Sequence, residues 1–461
     1  MVANDTIVAL ATAPGESAVA VTRLSGPDAI AIASKQFRGR LSPADSASHR
    51  ILFGSFLGVD GSPLDSVLLS VFRSPQSYTG EDVVEISSHG GSAIPRAIVE
   101  VLVRAGARAA RPGEFTERAF RNGKLDLAQA ESVAALIRAR SERSMRAAMG
   151  ALGGSLSRRV ASVDSELVSL LAEVEARIDF PADVGEALDG VELGRRCSKI
   201  AASVREWVER IPGARRGQEG VRAALVGRAN VGKSSLLNAL VGYDRAIVDV
   251  DPGTTRDTVE ESIWIEGVEL RIADTAGLRV GGDRVEGFGV ERSMRAARDC
   301  DLAVLVLDRS DGVGDADREA ASWVEDRPVV VAWNKADLGL GLAPRPRAPV
   351  SDARVVEEVE TVAVRPGGAD PLLGALRSAM PRVLGEHVGE EIATTSVRQE
   401  RLLVEASAAL ERAESGFAAD QSYDLIAVEL ADARRALGEM VGRGVDDEVT
   451  AAVFARFCIG K

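Results

Sequence analysis

The sequence predicts a multidomain protein: an α+β N-terminal domain, then an α-helical domain interrupted by an inserted α/β domain. Three textures carry this expectation. Up to about Asn122, short β-rich runs such as Ala18–Leu24, Val67–Phe72 and Val83–Ser87 alternate with glycine-containing turns. From Lys124 the period becomes helical, and Leu156, Val160, Val163, Leu167, Leu170, Val174 and Ile178 form one apolar stripe that Pro181 stops. The same period returns beyond Thr394 in Ile426, Leu430, Ala433, Leu437 and Val441. Between the helical blocks lie continuous apolar runs, Val221–Val226, Leu302–Leu307 and Val329–Trp333, suited to central strands of a largely parallel sheet covered on both faces. The expected boundaries are 1–122 for the α+β domain, 123–216 and 386–461 for the two helical parts, and 217–385 for the α/β unit. Gly213–Gly220 reads as a joint, and Leu340–Pro349 as a flexible surface loop.

Composition narrows the function. At 461 residues the chain exceeds one ordinary core, and 46% hydrophobic with 27% charged residues is a soluble globular balance. No apolar stretch approaches the roughly 18 residues of a membrane span. Met1–Asp5 lacks the basic start of a secretory signal, so the expected location is the cytoplasm, with no membrane partner. Cys197, Cys300 and Cys458 are too far apart for a disulfide framework or zinc spacing, and His49, His89 and His387 show no metal-ligand spacing. A net charge of −13 argues against a surface devoted to nucleic acid, so RNA contact should be local or shared with a partner.

The chemistry is concentrated in the α/β unit. Gly227-Arg-Ala-Asn230-Val231-Gly232-Lys233-Ser234, followed by Ser235, fits a phosphate-binding loop between an apolar strand and a helix. Its glycines let backbone N–H groups wrap phosphate oxygens, Lys233 reaches the β- and γ-phosphates, and Ser234 offers a hydroxyl to Mg²⁺. Asp274-Thr275-Ala276-Gly277 follows the strand Glu269–Ala273, where the carboxylate can hold the metal's water shell. Asn334-Lys335-Ala336-Asp337 follows another strand, and Asp337 can accept two hydrogen bonds from guanine that adenine cannot offer in that arrangement. Gly253-Thr254-Thr255 lies where a switch loop would place a threonine hydroxyl on Mg²⁺. Together, in this order, the motifs predict GTP hydrolysis. A fifth element beside the guanine is expected at Val362-Ala363-Val364, without the usual bracing serine. Leu278 stands where a glutamine orients water in Ras-like enzymes, so another device must position water and neutralise charge.

Three further signatures make the whole chain resemble the MnmE (TrmE) family of tRNA-modification GTPases. They are Tyr78-Thr-Gly-Glu-Asp-Val-Val-Glu-Ile with His89-Gly-Gly, Arg111-Pro-Gly-Glu-Phe-Thr-Glu-Arg-Ala-Phe, and Phe457-Cys-Ile-Gly-Lys461. The resemblance implies a folate-binding, dimerising N-terminal domain and a P-loop G domain inserted in the helical one. It further implies a homodimer that works with the flavoprotein MnmG, expected as a heterotetramer, with FAD present only through that partner. The implied reaction adds a carboxymethylaminomethyl or aminomethyl group to carbon 5 of the wobble uridine of certain tRNAs. Formyl- or methylene-tetrahydrofolate would supply one carbon, with GTP hydrolysis required.

By the same resemblance Arg23, Glu85, Lys124 and Lys461 match folate contacts. Asn230 and the loop Asp249-Val250-Asp251-Pro252-Gly253-Thr254 match a K⁺ site, with Asp249 standing where threonine is common, and Ser234 and Thr255 would hold Mg²⁺. Glu286 matches the residue that helps place the attacking water. Cys458 has two readings, a nucleophile or a small buried hydrophobe between Phe457 and Ile459. Arg138, Arg140, Arg143 and Arg146 read as a solvated helix face or a tRNA contact. Rival readings are an Era- or EngA-like ribosome-assembly GTPase and a folate-dependent transferase with a structural GTPase unit.

Overall fold

Period-two patterning builds the first sheet. In β2 (Val19–Ser25), Ala20, Thr22 and Leu24 are buried while Arg23 faces the other side. The computed structural model describes residues 5–139, 141–179, 190–242, 260–274, 294–324, 326–338, 346–385 and 396–461. β2 joins β1 (Ile7–Leu10), β3 (Phe37–Gly39), β4 (Arg50–Leu57), β5 (Pro63–Phe72), β6 (Val83–His89) and β7 (Arg108–Ala109) in the order β3-β4-β5-β6-β2-β1-β7. All pairs are antiparallel except β1 with β7.

The helices Ala29–Gln36 and Ala93–Arg104 cover one face, packing Ile30, Ile98 and Leu102 into a core with Leu24, Leu69 and Ile86. Cross-strand register defines the opposite face. Arg23, Glu85, Ser70 and Ile51 lie in one row, and Val21, Ser87, Leu68 and Phe53 in the next. Ile51 and Phe53 are 68% and 72% exposed, and with the exposed Leu68 they make an apolar surface on this face.

The helical period is realised as expected. Ser155–Asp179 buries Leu156, Val160, Val163, Leu167, Leu170 and Val174 along one side. The helices Val397–Ala418 and Tyr423–Met440 pack as a pair, and Tyr423–Met440 lies against Ser155–Asp179. Polar bonds link the two halves: Arg434 and Arg443 both donate to Asp164, and Arg177 donates to the Tyr423 hydroxyl at 2.9 Å. At the deepest junction Glu131, on the helix Leu127–Arg138, accepts from Ser396 Oγ (2.9 Å), Arg398 Nε and Nη2 (3.0 and 2.8 Å) and Gln399 Nε2 (2.6 Å). The second helical block therefore packs on the first.

The second sheet contains β8 (Val221–Val226), β9 (Glu260–Ile265), β10 (Val268–Asp274), β11 (Leu302–Asp308), β12 (Val329–Asn334) and β13 (Val355–Glu360). Its order is β13-β12-β11-β8-β10-β9, parallel apart from β9 with β10. β11 and β12 are buried at every position, as their unbroken apolar runs require. The expected joint is corrected: the helix Gly190–Glu219 runs through Pro212 to the edge of β8, and the turn falls on Gly220 at φ 92°. Arg216 holds that last stretch through bonds to Asp301 Oδ1 (3.0 Å) and the Val383 carbonyl (2.8 Å). The expected loop at Leu340–Pro349 lies largely outside the described residues.

By contacts the chain divides into two units. One comprises Met1–Ile137, Ala151–Val204 and Thr395–Lys461, the other Arg138–Gly150 and Arg205–Thr394. No helix among the described residues is long and apolar enough to cross a membrane.

Replacing Glu131 with alanine leaves Arg398 and Gln399 without their carboxylate. Glu131→Ala should lower unfolding stability by about 3 kcal/mol, read from the denaturant midpoint of helical circular dichroism. An unchanged midpoint would show that closure of the helical domain does not rest on this group.

Candidate functional site

The turn after β8 needs glycine for steric reasons. Gly227 has φ 153°, and a Cβ there would meet the Val306 carbonyl at 2.3 Å. At Gly232, φ 100°, a Cβ would lie 2.2 Å from Asn334 Nδ2. Asn230 takes φ 64°, a left-handed value that asparagine tolerates better than most residues. Val231 is buried and anchors the turn in the core, and the helix Lys233–Gly242 starts directly after it. Its first N–H groups and positive dipole end face the place of a phosphate. Lys233 arches back over the loop, donating to the carbonyls of Gly227 (2.6 Å) and Arg228 (2.8 Å). Ser234 and Ser235 are exposed at the helix start. Asp274 ends β10 in register with Leu225 of β8, beside the phosphate loop in the sheet.

Asn334 joins the phosphate loop to the expected base site. Only 2% exposed, it donates from Nδ2 to the Val231 carbonyl at 2.8 Å. Its Oδ1 accepts from Thr361 Oγ1 (3.2 Å) and the Ala363 N–H (3.1 Å). Thr361 thus supplies the hydroxyl that the sequence reading found missing. Its signal was a hydroxyl residue just before Val362-Ala363-Val364. The Ala336 N–H binds the Thr361 carbonyl, and Val362 N–H binds the Gly368 carbonyl, closing the turn. Lys335, at φ 57°, donates to Asp308 at 2.7 Å, while Arg365 lies 3.3 Å from the Asp337 carboxylate. Neither Asp308 nor Arg365 was singled out from the sequence.

Asp249, Val250, Asp251, Pro252, Gly253, Thr254, Thr255, Thr275, Ala276, Gly277 and Glu286 lie outside the described residues, as do Leu278 and Arg140. Arg138 is exposed at the end of its helix. Arg146 is exposed and paired with Glu142 one helical turn away.

A second cluster forms in the other unit, where the N-terminal and C-terminal signatures converge. Arg23 pairs with Glu85 (Nη2 to Oε1, 2.7 Å) and donates to the Gly460 carbonyl at 3.3 Å. Its guanidinium lies 5.5 Å from the Tyr78 ring centre and 5.6 Å from that of Phe115. The tail docks through Gly113 N–H to the Cys458 carbonyl (3.3 Å) and Phe115 N–H to the Lys461 carbonyl (3.2 Å). Gly460, at φ 94°, passes so close to the Leu10 carbonyl that a Cβ would sit 2.2 Å away. Phe457 is buried with Leu127, Ala130 and Phe454, but Cys458 is exposed and Ile459 is 61% exposed. The buried-hydrophobe reading of Cys458 is therefore corrected: the turn points Phe457 inward and the thiol outward. Lys124 is exposed, its Nζ 3.2 Å from the Pro75 carbonyl.

The tail's seat is held by the helix Glu114–Arg121, which carries a dense ion network. Arg118 contacts Asp5, Glu81 and Glu114, and Arg108 bridges Asp5 and Glu114. Burial alone would raise the Glu114 carboxyl, but bonds from Arg108, the Arg111 N–H and Arg118 bring it down from 4.5 to about 2. Its ionised form is thus favoured by folding.

A strand, a glycine-shaped turn, a helix-starting lysine, and an asparagine that ties this turn to a base-side loop define a P-loop nucleotide-binding domain of the guanine-reading class. It is inserted into a helical domain that follows an α+β domain. Residues 6–124 match the family model for the GTP-binding protein TrmE N-terminus, and residues 127–458 match that for the MnmE helical domain. The chain is 41% identical to the tRNA modification GTPase MnmE of Moorella thermoacetica, covering 99% of this chain and 100% of that protein. It is 40% identical to the protein of the same name from Syntrophotalea carbinolica, over the full length of both. The chain belongs to the MnmE family of tRNA modification GTPases.

Two outcomes follow from this geometry. Asp337→Asn should sharply weaken GTP binding and favour xanthosine triphosphate, whose N1/C2 edge reverses one donor. Equal GTP affinity in both proteins, by fluorescent-nucleotide titration, would remove Asp337 from base recognition. Glu114, with its lowered value, contributes stability fully above pH 4.5 that is lost as pH falls toward 2. Glu114→Gln should flatten that part of the acid-unfolding curve. A variant that keeps the parent's slope there would show that Glu114 does not set it.

Proposed function

We propose that the chain hydrolyses GTP and, with MnmG, installs a carboxymethylaminomethyl or aminomethyl group at carbon 5 of the wobble uridine of certain tRNAs. The carrying observation is the docking of the tail beside the Arg23–Glu85 pair, where Arg23 and Gly460, 437 positions apart in sequence, meet at 3.3 Å. The residues there fit a reduced folate. Glu85 can accept from an amino-pyrimidine ring, the partly exposed Tyr78 ring offers a flat apolar face, and Arg23, Lys124 and Lys461 suit a glutamate tail's carboxylates. Bound there, the folate would supply the one-carbon unit. Cys458, with its exposed thiol in the same tail, is the proposed nucleophile.

The domain roles follow the same reading: 1–122 for folate and dimerisation, 217–385 as the G domain, and 123–216 with 386–461 as the helical frame. The exposed apolar residues Ile51, Phe53 and Leu68 support a homodimer, because a second copy seated there would cover apolar surface on the sheet face that carries Arg23 and Glu85. In the G domain, Lys233 steadies phosphate charge and the exposed Ser234 hydroxyl fits Mg²⁺, with Thr255 and Asp274 as its companions. Asn230, exposed at the loop's edge, fits K⁺ together with Asp249, Asp251 and Thr254. That cation would supply the positive charge an arginine finger supplies elsewhere. Glu286 would hold the attacking water. The substrates place this work in the cytoplasm.

Mass spectrometry of tRNA tests the whole reading. A strain lacking this protein should lose the wobble-uridine modification, and the full chain should restore it. A chain without residues 457–461 should keep most GTP hydrolysis yet restore nothing. Unchanged wobble uridines in the deletion strain would overturn the proposal, and joint loss of both activities on truncation would assign the tail to folding.

A further inference from the structure

The loop after β11 carries an arrangement that nucleotide motifs do not predict. Asp308, 5% exposed, is in register with Asn334 on the neighbouring strand, and the Arg309 N–H binds the Asn334 carbonyl at 2.8 Å. One oxygen of Asp308 accepts from the Ser310 N–H (2.9 Å) and hydroxyl (2.6 Å), and the other from Lys335 Nζ (2.7 Å). Arg228 of the phosphate loop approaches the same Asp308 oxygen that takes Lys335. It pairs with Asp311 at 2.6 Å and lies 4.0 Å from Asp308 and 3.6 Å from the fully buried Asp317. Three carboxylates between the end of β11 and the following helix, Asp308, Asp311 and Asp317, thus lie near a cation of the phosphate loop, and Asp308 also holds a cation of the base-side loop.

Lys335 needs such an anchor. Its φ of 57° is a left-handed value that costs a non-glycine residue of order 1 kcal/mol and persists only where surroundings over-determine it. The ion pair with Asp308 does so from a nearly dry site. Ser310 fixes the carboxylate, and the strand register fixes its height beside Asn334. Burial alone would raise Asp308, but the bonds from Lys335 and Ser310 outweigh it and keep the group ionised.

We propose that Asp308 is a positioning residue of the guanine-nucleotide site, holding Lys335 and through it the Asn334–Asp337 loop in base-reading shape while Arg228 ties the same acidic loop to the phosphate side. The inference rests on the reading of residues 227–234 and 334–337 as that site. Removing its charge acts on nucleotide affinity, not on the chemical step.

The test uses the full chain, with a fluorescent GDP analogue for affinity and GTP turnover for rate. Parent preference for GTP over ATP is measured first, and its absence would overturn the site reading itself. With that preference present, Asp308→Asn should weaken GDP binding about tenfold, the scale of one charge-assisted hydrogen bond. Turnover at saturating GTP should stay within about twofold, so that KM moves and kcat does not. Lys335→Met should give a similar affinity loss, and the double variant should be no worse than either single one. Losses that multiply, or an affinity within twofold of the parent in either single variant, would overturn the role of Asp308. A fall in kcat and melting temperature with unchanged KM would make Asp308 merely structural.

Discussion

The architecture depends on one buried carboxylate. Glu131 closes the helical domain across an insertion by accepting bonds from Ser396, Arg398 and Gln399, residues 265 to 268 positions further along. The cost of closing so long a loop rises only with the logarithm of its length, so a compact polar junction backed by apolar stripes is enough to hold it. Arg398 then reaches the carbonyls of Glu439 and Met440, carrying the junction to the end of the next helix. The tail that follows is delivered from there to the N-terminal sheet. The junction adds to the Asp164 and Tyr423 bonds that also join the two helical blocks.

Both candidate sites use the same device, a polar side chain that binds backbone from distant segments. Asn334 bonds to the phosphate loop and to the turn at Ala363 at once, so the two sides of the nucleotide site are set by one amide group. Arg23 bonds to Glu85 and to Gly460, setting the tail against the sheet. In each case a glycine at the contact leaves no room for a Cβ, Gly232 against the Asn334 side chain and Gly460 against the Leu10 carbonyl. Rigid placement of this kind is what a site built from several segments needs before it can bind anything.

Charge is distributed unevenly around these sites. The net balance is acidic, yet the helix Glu114–Arg121 and its neighbours bring Arg108, Arg111, Arg118 and Arg121 together with Asp5, Glu81, Glu114 and Glu117. Arg118 is nearly buried, and several partners are needed to offset its desolvation. The network fixes the N-terminal end of this helix, whose Phe115 N–H receives the tail. Stability and site geometry therefore share the same ion pairs.

The sequence by itself determined the strands, the helical stripes, the phosphate loop, the base-side motif and the family. Each of these is written in consecutive residues or in a short period, and the backbone chemistry they impose is local. Tertiary structure decided the rest. Thr361 and Asp308 are single polar residues in unremarkable runs; the pairing of β12 with β13 brings Thr361 to Asn334, and that of β11 with β12 brings Asp308 beside Asn334 and Lys335. The stretch 213–219 looked like a joint because Gly213 and Gly217, just after Pro212, weaken local helix signals, but the helix runs through it and Arg216 bonds to Asp301 and the Val383 carbonyl. Cys458 sat between two apolar neighbours that suggested burial, and the close passage of Gly460 over Leu10 turned the thiol outward. Local chemistry names what a segment can do, while the partners that position it come from packing between segments the sequence does not pair.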